Sequence, residues 1–421
     1  MRSARLWAAL LGVEQAVVED VEFDGEELLL IAHVRVPKGA RLRCPRCGRR
    51  CARYDGGEGR RRWRALDLGT VRAVIEADAP RVSCAWHGVL VAAVPWARHG
   101  AGHTRAFDAT VAWLAVHTAK STVCDLMRIA WRTVGAIVAR VWADTGELAD
   151  RYDGLRRIGI DEISYKKGHR YLTVVVDHDT GRLVWAAPGK SAATLHAFFD
   201  LLGEQRAAAI THVSADGADW INAVVSRRCP QAVRCADPFH VVAWATEALD
   251  RVRRQVWNEA SGRGAGRRHT ATGEARKLKN TRWALWKNPD NLTDAQHAKL
   301  AWIAKTHPRL HRAWALKEGL RAVFTIARAS PTAAVEALDK WIGWARRSRI
   351  DVFVDLQRRV MRHRDAIRAA IEHRLSNGPV ESINAKIRLI TRMAFGFHSP
   401  HALIAMAMLS LGGHRPQLPG R

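Results

Sequence analysis

Arg157-Ile158-Gly159-Ile160-Asp161-Glu162, followed shortly by Tyr171-Leu172-Thr173-Val174-Val175-Val176-Asp177, is the stretch on which the fold turns. The second run is β-branched and continuously apolar, which suits a strand buried on both faces. The first is short, apolar and stops at a carboxylate. It predicts a buried strand that ends in Asp161 and delivers a charge to the rim of a sheet, where a metal ion can use it. Residues 182–187 form a third strand after the turn Asp177-His178-Asp179-Thr180-Gly181.

Beyond these, residues 191–202 have helical spacing, with Leu195, Phe198, Phe199 and Leu202 apolar. Residues 210–216 make a strand that again stops at a carboxylate, Asp216, and 219–225 a helix. Residues 232–237 make a further strand, followed by Pro238-Phe239-His240 and a helix from Val241. Three antiparallel-looking strands followed by alternating helix and strand resemble the ribonuclease-H-like fold.

At 421 residues the chain is too long for one core and implies two to four domains. Its hydrophobic content of 48% excludes a disordered protein, and 67 Lys+Arg against 41 Asp+Glu leave a formal charge of +26. So large an excess fits a polyanionic partner, nucleic acid by default, against the plainer reading of a merely basic soluble protein. The seven cysteines are not a disulfide framework, and a C-x-x-C pair in a reducing compartment reads as metal. Residues 1–11 lack a cleavage site for export, and no run reaches the roughly twenty apolar residues of a membrane helix. The expectation is a cytoplasmic protein with no membrane partner.

In the first hundred residues, 27–36 have strand character before a Pro37-Lys38-Gly39 turn. Cys44-Pro45-Arg46-Cys47-Gly48 and Cys84-Ala85-Trp86-His87-Gly88 share one pattern: ligand, two residues, ligand, glycine. That spacer lets two side chains converge on a tetrahedral ion, and the glycine permits the tight turn behind them. Cys44, Cys47, Cys84 and His87 are therefore a candidate Cys3His zinc site, with strands at 72–77 and 81–83 leading into the second half. Cys51 is a spare thiol that could replace a ligand; the competing reading is buried structural cysteines with a surface His87.

Residues 104–142 read as helical. Thr104 is a cap, and Phe107, Val111 and Leu114 recur at helical spacing. A short helix at 121–127, a turn at 128–130 and a helix from Trp131 with Val134, Ile137, Val138 and Val141 inward match a helix-turn-helix. Trp131, Arg132 and Thr133 would then enter the major groove. A plain helical bundle fits the periodicity as well; the basic chain around it favours DNA.

Residues 251–287 hold eleven Lys/Arg and two Glu around the flexible centre Ser261-Gly262-Arg263-Gly264-Ala265-Gly266. Such a run is often only a solvated face. Here Trp257, Trp283 and Trp286 interleave with the charges, which favours phosphate and base contacts by residues including Arg267, Arg268, Lys277, Lys279 and Arg282. Trp302, Trp314, Trp341 and Trp344 read as core. Helices continue to about 375, and Ser376-Asn377-Gly378-Pro379-Val380-Glu381-Ser382-Ile383-Asn384 then opens another. Glu381, Asn384, Arg388 and Arg392 fall on one face of it, opposite a stripe of Ile383, Ile387 and Ile390. Glu381 also suits a residue that merely stabilises the helix start.

Three carboxylates, Asp161, Asp216 and Glu381, cannot share a site fully charged without cations. Two Mg2+ (or Mn2+) ions would neutralise them and drive an in-line phosphoryl displacement, with Arg388 and Arg392 on flanking phosphates. Asp237, which also ends a strand, competes with Asp216, and Asp219 lies one turn further on.

Zinc knuckles, helix-turn-helix, G-I-D-E, V-S-A-D, A-D-P-F-H, K-L-K-N-T-R-W and S-N-G-P-V-E-S-I-N-A-K-I-R, in this order over nearly the whole chain, resemble the DDE transposases of bacterial insertion sequences. The pattern is most similar to the ISL-three family. The resemblance implies a multidomain α+β protein: a zinc-ribbon-like domain over 1–100, a helix-turn-helix domain over 101–150, a ribonuclease-H-like catalytic domain over 151–245 and 376–415, and a basic helical insertion over 246–375. It implies Asp161, Asp216 and Glu381 as the catalytic triad. Its partners would be double-stranded DNA, both terminal inverted repeats and target, bound by a homodimer or higher oligomer on the bacterial nucleoid. His87 stands where the family often has cysteine, which leaves the fourth zinc ligand open. Two other functions fit the same residues: an inactive DNA-binding regulator derived from a transposase, and a ribonuclease-H-like nuclease without strand transfer.

Overall fold

The computed structural model describes residues 2–13, 15–148, 150–216, 218–261 and 273–420. The chain forms two compact units, residues 1–151 with 389–421, and residues 152–388.

The first unit opens with the helix Arg2–Leu10 and a four-stranded sheet of β1 (Val17–Asp24), β2 (Leu29–Arg35), β4 (Arg60–Arg64) and β5 (Arg72–Asp78), in the order β1-β2-β5-β4. Between β2 and β4 comes β3 (Ala52–Asp55). The side chains of β2 and β5 alternate, with Leu30, Ala32, Val34, Ala73, Ile75 and Ala77 buried, so one face, with Trp63 of β4, lies against Ala8 and Leu11. A second sheet joins β3 to β6 (Arg81–Cys84) and β7 (Gly88–Val91), all antiparallel. Three helices follow, Arg105–His117, Lys120–Met127 and Trp131–Leu148. The first is capped by Thr104, whose hydroxyl accepts from the Phe107 N–H (3.2 Å). The turn between the second and third holds Arg128 in the left-handed region, at φ 52°. Phe107, Val111, Val134, Ile137, Val138 and Val141 face inward as their spacing predicts, and Leu114 packs beside them, half-buried.

Residues 389–421 fall in the first unit. Ala405, Met406 and Leu409 of the helix Pro400–Leu411 share the core of Phe107 and Ile137.

The second unit is built on a five-stranded sheet. Its strands are β8 (Arg157–Lys166), β9 (Arg170–Asp177), β10 (Leu183–Pro188), β11 (His212–Ala215) and β12 (Val233–Ala236), in the order β10-β9-β8-β11-β12. β8, β9 and β10 are antiparallel neighbours; β11 runs parallel to both β8 and β12. In β9 every residue from Leu172 to Asp177 is buried, as a doubly covered strand requires. Ile158, Ile160, Val213 and Ala215 pack against the helices Ala192–Leu202 and Asp219–Arg228. The long helix Pro238–Ala260 leads into an all-helical insertion whose core includes Leu249, Leu316, Leu338, Trp341 and Phe353. Trp341 is buried and donates its indole N–H to the Leu316 carbonyl (2.7 Å); Trp302 and Trp314 pack against the same core, and Trp344 is partly exposed.

Candidate functional site

β8 does not stop at Asp161. It continues to Lys166, because its hairpin with β9 supplies partners along the whole length. What ends is the neighbour on the other side: β11 finishes with Ala215 opposite Ile160. Asp161 is thus the first residue of β8 left without a neighbour on that edge. Asp216 directly follows β11, and Asp237 directly follows β12. Three carboxylates therefore cluster at the carboxyl ends of three adjacent parallel strands, where open α/β sheets place ligands.

The helix Gly378–Met393 reaches this edge. Asn384 Nδ2 donates to Asp161 Oδ2 (2.8 Å), and the Glu162 N–H donates to Asp161 Oδ1 (2.7 Å). Burial nevertheless pushes the Asp161 carboxyl up to about 6, against the pull of that N–H and of His240. The neighbouring Glu162 is engaged elsewhere, by Lys190 Nζ at 2.7 Å.

His240 sits among the acids. Its Nδ1 lies 2.7 Å from Asp237 Oδ2 and its Nε2 lies 3.8 Å from Asp216 Oδ2. The hydrogen bond to Asp237 raises the imidazole to about 9, with the Asp216 charge adding to it. Asp237 is buried, and its other oxygen accepts from the Asn377 N–H (3.2 Å). The Ser214 hydroxyl donates to Asn377 Oδ1 and lies 2.7 Å from His178 Nε2. This buried chain ties β11, β12 and the turn after β9 to the start of the Glu381 helix. The sequence reading missed it, although Asn377 and Asn384 stand inside the S-N-G-P-V-E-S-I-N run.

Glu381 lies one turn before Asn384 and is exposed; among the described residues its carboxylate takes no hydrogen bond or ion pair, and so makes no capping bond. The acidic residues do not draw together as tightly as the cysteine set. Among the described residues, the one group whose candidate ligand atoms all lie within 4.8 Å of one another is Cys44, Cys47, Cys84 and His87.

Those four fit a zinc ion. Cys44 Sγ and Cys84 Sγ each lie 3.6 Å from His87 Nδ1, and Cys47 Sγ lies 3.8 Å from Cys84 Sγ. Gly48 and Gly88 take φ of 67° and 71°, the left-handed turns that the spacing requires. The backbone N–H of Trp86, and more weakly that of His87, draws the Cys84 thiol down to about 7, towards the thiolate that binds metal. Soft thiolates plus one imidazole at tetrahedral spacing suit Zn2+. Cys51 lies outside the four, with its Sγ 3.5 Å from the Arg49 carbonyl.

The predicted nucleic-acid contacts divide. Trp131 and Arg132 are exposed at the start of the third helix, with Thr133 half-buried behind them. Arg282 is exposed and lies over the rings of Trp283 (4.6 Å) and Trp286 (4.8 Å). Lys277, Arg388 and Arg392 are exposed. Arg267, Arg268 and the side chain of Lys279 lie outside the described residues.

Comparison with known proteins matches three family models. Residues 158–407 match a model described as transposase, and residues 92–142 match the helix-turn-helix domain of transposase family ISL3. Residues 40–87 match the zinc finger of the transposases of IS204, IS1001, IS1096 and IS1165. Among curated relatives, the transposase for insertion sequence element IS1557 of Mycobacterium tuberculosis (strains CDC 1551 and H37Rv) is 62% identical over 439 residues, covering 100% of this chain and 98% of the relative. The transposase for IS1001 of Bordetella parapertussis is 28% identical over 400 residues, covering 94% of this chain and 95% of the relative. No helix among the described residues is long and apolar enough to cross a membrane.

Proposed function

The chain belongs to the ISL3 family of insertion-sequence transposases, and on that premise we propose that it binds the terminal inverted repeats of its own element and cuts and joins DNA there through Asp161, Asp216 and Glu381. The observation that carries this reading is the bond from Asn384 to Asp161, which brings the helix bearing Glu381 to the strand ends bearing the two aspartates. Strand order β10-β9-β8-β11-β12 supports a ribonuclease-H-like catalytic domain. Asp216 is preferred to Asp237 because both oxygens of Asp237 are already engaged, by His240 and the Asn377 N–H.

Hard carboxylate oxygens, those of half-buried Asp161 held above the ordinary carboxylate range by desolvation, fit a divalent cation. Two Mg2+ or Mn2+ ions held by Asp161, Asp216 and Glu381 would supply the acidity that activates water or a 3′-hydroxyl and stabilises the leaving oxygen. The chain's own part is to hold these groups in place. Asn384 orients Asp161, and Asp237 fixes the imidazole of His240 beside Asp216. Arg388 and Arg392, exposed on the Glu381 helix, hold flanking phosphates. The ribbon binds structural Zn2+ at Cys44, Cys47, Cys84 and His87. Trp131, Arg132 and Thr133 enter the major groove, while Arg267, Arg268, Lys277, Lys279 and Arg282 bind phosphates of end or target duplexes. Two ends must be held at once, which calls for at least a homodimer working on DNA in the cytoplasm.

Strand transfer with purified protein, Mg2+ and a duplex carrying the element's own ends tests this. Asp161→Asn, Asp216→Asn and Glu381→Gln should each abolish nicking and joining while sparing end binding. Binding without nicking by the wild-type chain would leave a DNA-binding regulator; nicking without joining would leave a nuclease. An active Asp216→Asn beside a dead Asp237→Asn would overturn the assignment of the second acid.

A further inference from the structure

Phe395 is 83% exposed, the largest exposure of any big apolar side chain among the described residues. A single exposed aromatic is ordinary. This one is unusual in its backbone and its neighbour. It sits just past the C-terminus of the helix Gly378–Met393 at φ 49°, the left-handed region where helix ends usually carry glycine. The turn is closed by the Phe395 N–H on the Arg392 carbonyl (3.0 Å) and the Gly396 N–H on the Thr391 carbonyl (2.8 Å). Ala394 is buried and Phe397 packs half-buried against the core, while Phe395 between them points outward. A strained position filled by an exposed ring is explained poorly by stability and better by a contact.

The neighbour is Trp131, first residue of the third helix of the helix-turn-helix, with ring centroids 6.4 Å apart. Lys120 Nζ lies 4.6 Å over the other ring of this pair, that of Trp131. Arg132 and Arg392 are exposed nearby in sequence, and among the described residues neither they nor Lys120 make an ion pair. Two rings, with Lys120 over one of them and exposed Arg132 and Arg392 nearby in the chain, complement a polyanion that also offers flat bases, in a chain of net charge +26.

We propose that Phe395 and Trp131 form an aromatic contact for the terminal DNA, Phe395 acting as an apolar wedge at a base step beside the segment held by the helix-turn-helix. The proposal rests on the reading of that module as the one that binds the element's ends. Wedges of this kind part a base step and seat the duplex more fully on the protein.

Phe395→Gly tests it, because glycine removes the ring and relieves the backbone together. The full chain is titrated against a duplex carrying the element's terminal repeat, across a range of salt, and its thermal midpoint is measured. The variant should bind about tenfold more weakly with a midpoint equal to or above wild type. The slope of log affinity against log salt should not change, whereas Arg132→Ala should lower that slope by about one. Phe395→Trp should retain binding. A 2-aminopurine placed at the wedged step should brighten with wild type and not with Phe395→Gly. Phe395→Asn, which also tolerates the left-handed backbone, guards against a folding effect of the glycine. Binding by Phe395→Gly and Phe395→Asn within twofold of wild type, or a shallower salt slope, overturns the wedge. Failure of the wild-type chain to prefer the repeat over an unrelated duplex overturns the end-binding reading instead.

Discussion

Burial holds the Asp161 carboxyl at about 6, well above the ordinary aspartate value of 3.8. A carboxyl raised on folding costs stability wherever the folded chain must ionise it. Below about pH 4 both states hold the proton and the cost vanishes; it grows as pH rises towards about 6 and is complete above that. The gap corresponds to at most about 3 kcal/mol. Without divalent ions, Asp161→Asn should therefore melt several degrees above wild type at pH 7.5, and level with it near pH 4. Added Mg2+ should raise the midpoint of wild type but not of Asp161→Asn, since only the carboxylate gains a cation. Equal melting at both pH values would show that the site bears no such cost. His240 runs the other way. Its proton, raised to about 9 by Asp237, contributes stability that is fully present below about 6.5 and is lost as pH climbs through 9. His240→Ala should flatten that alkaline limb of the melting profile.

Among the elements, the helix that carries Glu381 is placed by what β8 lacks. A Cβ on Gly159 would stand 2.3 Å from Val380 Cγ2 and 2.8 Å from His178 Nε2. Gly159→Ala should push the helix start off the sheet and strain the His178–Ser214–Asn377 chain. About 1–3 kcal/mol of stability should go, and cleavage should fall more than end binding. Unchanged cleavage would mean that the helix can slide without harm. The three-stranded ribbon has a different support. Its ligands hold β3, β6 and β7 together with few buried apolar residues of their own, so Cys44→Ser or Cys84→Ser should release zinc and weaken repeat binding, read by metal analysis and titration. Zinc-free wild type that binds the repeat normally would remove the metal from the account. These elements were readable in unequal measure. An unbroken apolar run gave β9, because that pattern records that both faces of the strand are covered. The end of β8 was misplaced because an apolar run stops where covering stops, not where pairing stops, and β9 pairs on to Lys166. Gly159 and Asn377 gave no local signal, since their roles depend on Val380 and Ser214, far away in sequence.

At the scale of the whole molecule, the first unit is not continuous in sequence. Residues 389–421 return to residues 1–151, and Ala405, Met406 and Leu409, each nearly or fully buried, complete the core of the helix-turn-helix. Local periodicity could not reveal this, because the helix Pro400–Leu411 is apolar nearly all round and would suit any interior. Burying a methionine or leucine side chain is worth about 1.5–3 kcal/mol, and a domain has only about 5–15 kcal/mol in hand. The three helices and residues 389–421 therefore share one core. A chain ending at Arg388 should keep its zinc, since the ribbon ligands all lie before residue 90, yet lose cooperative melting of the three helices and lose repeat binding. Joining residues 389–421 to residue 151 through a flexible linker should restore both without the five-stranded sheet. If residues 1–151 alone bind the repeat with the affinity and melting midpoint of the rejoined form, the carboxyl-terminal helix is an ornament of the first unit and not part of its core.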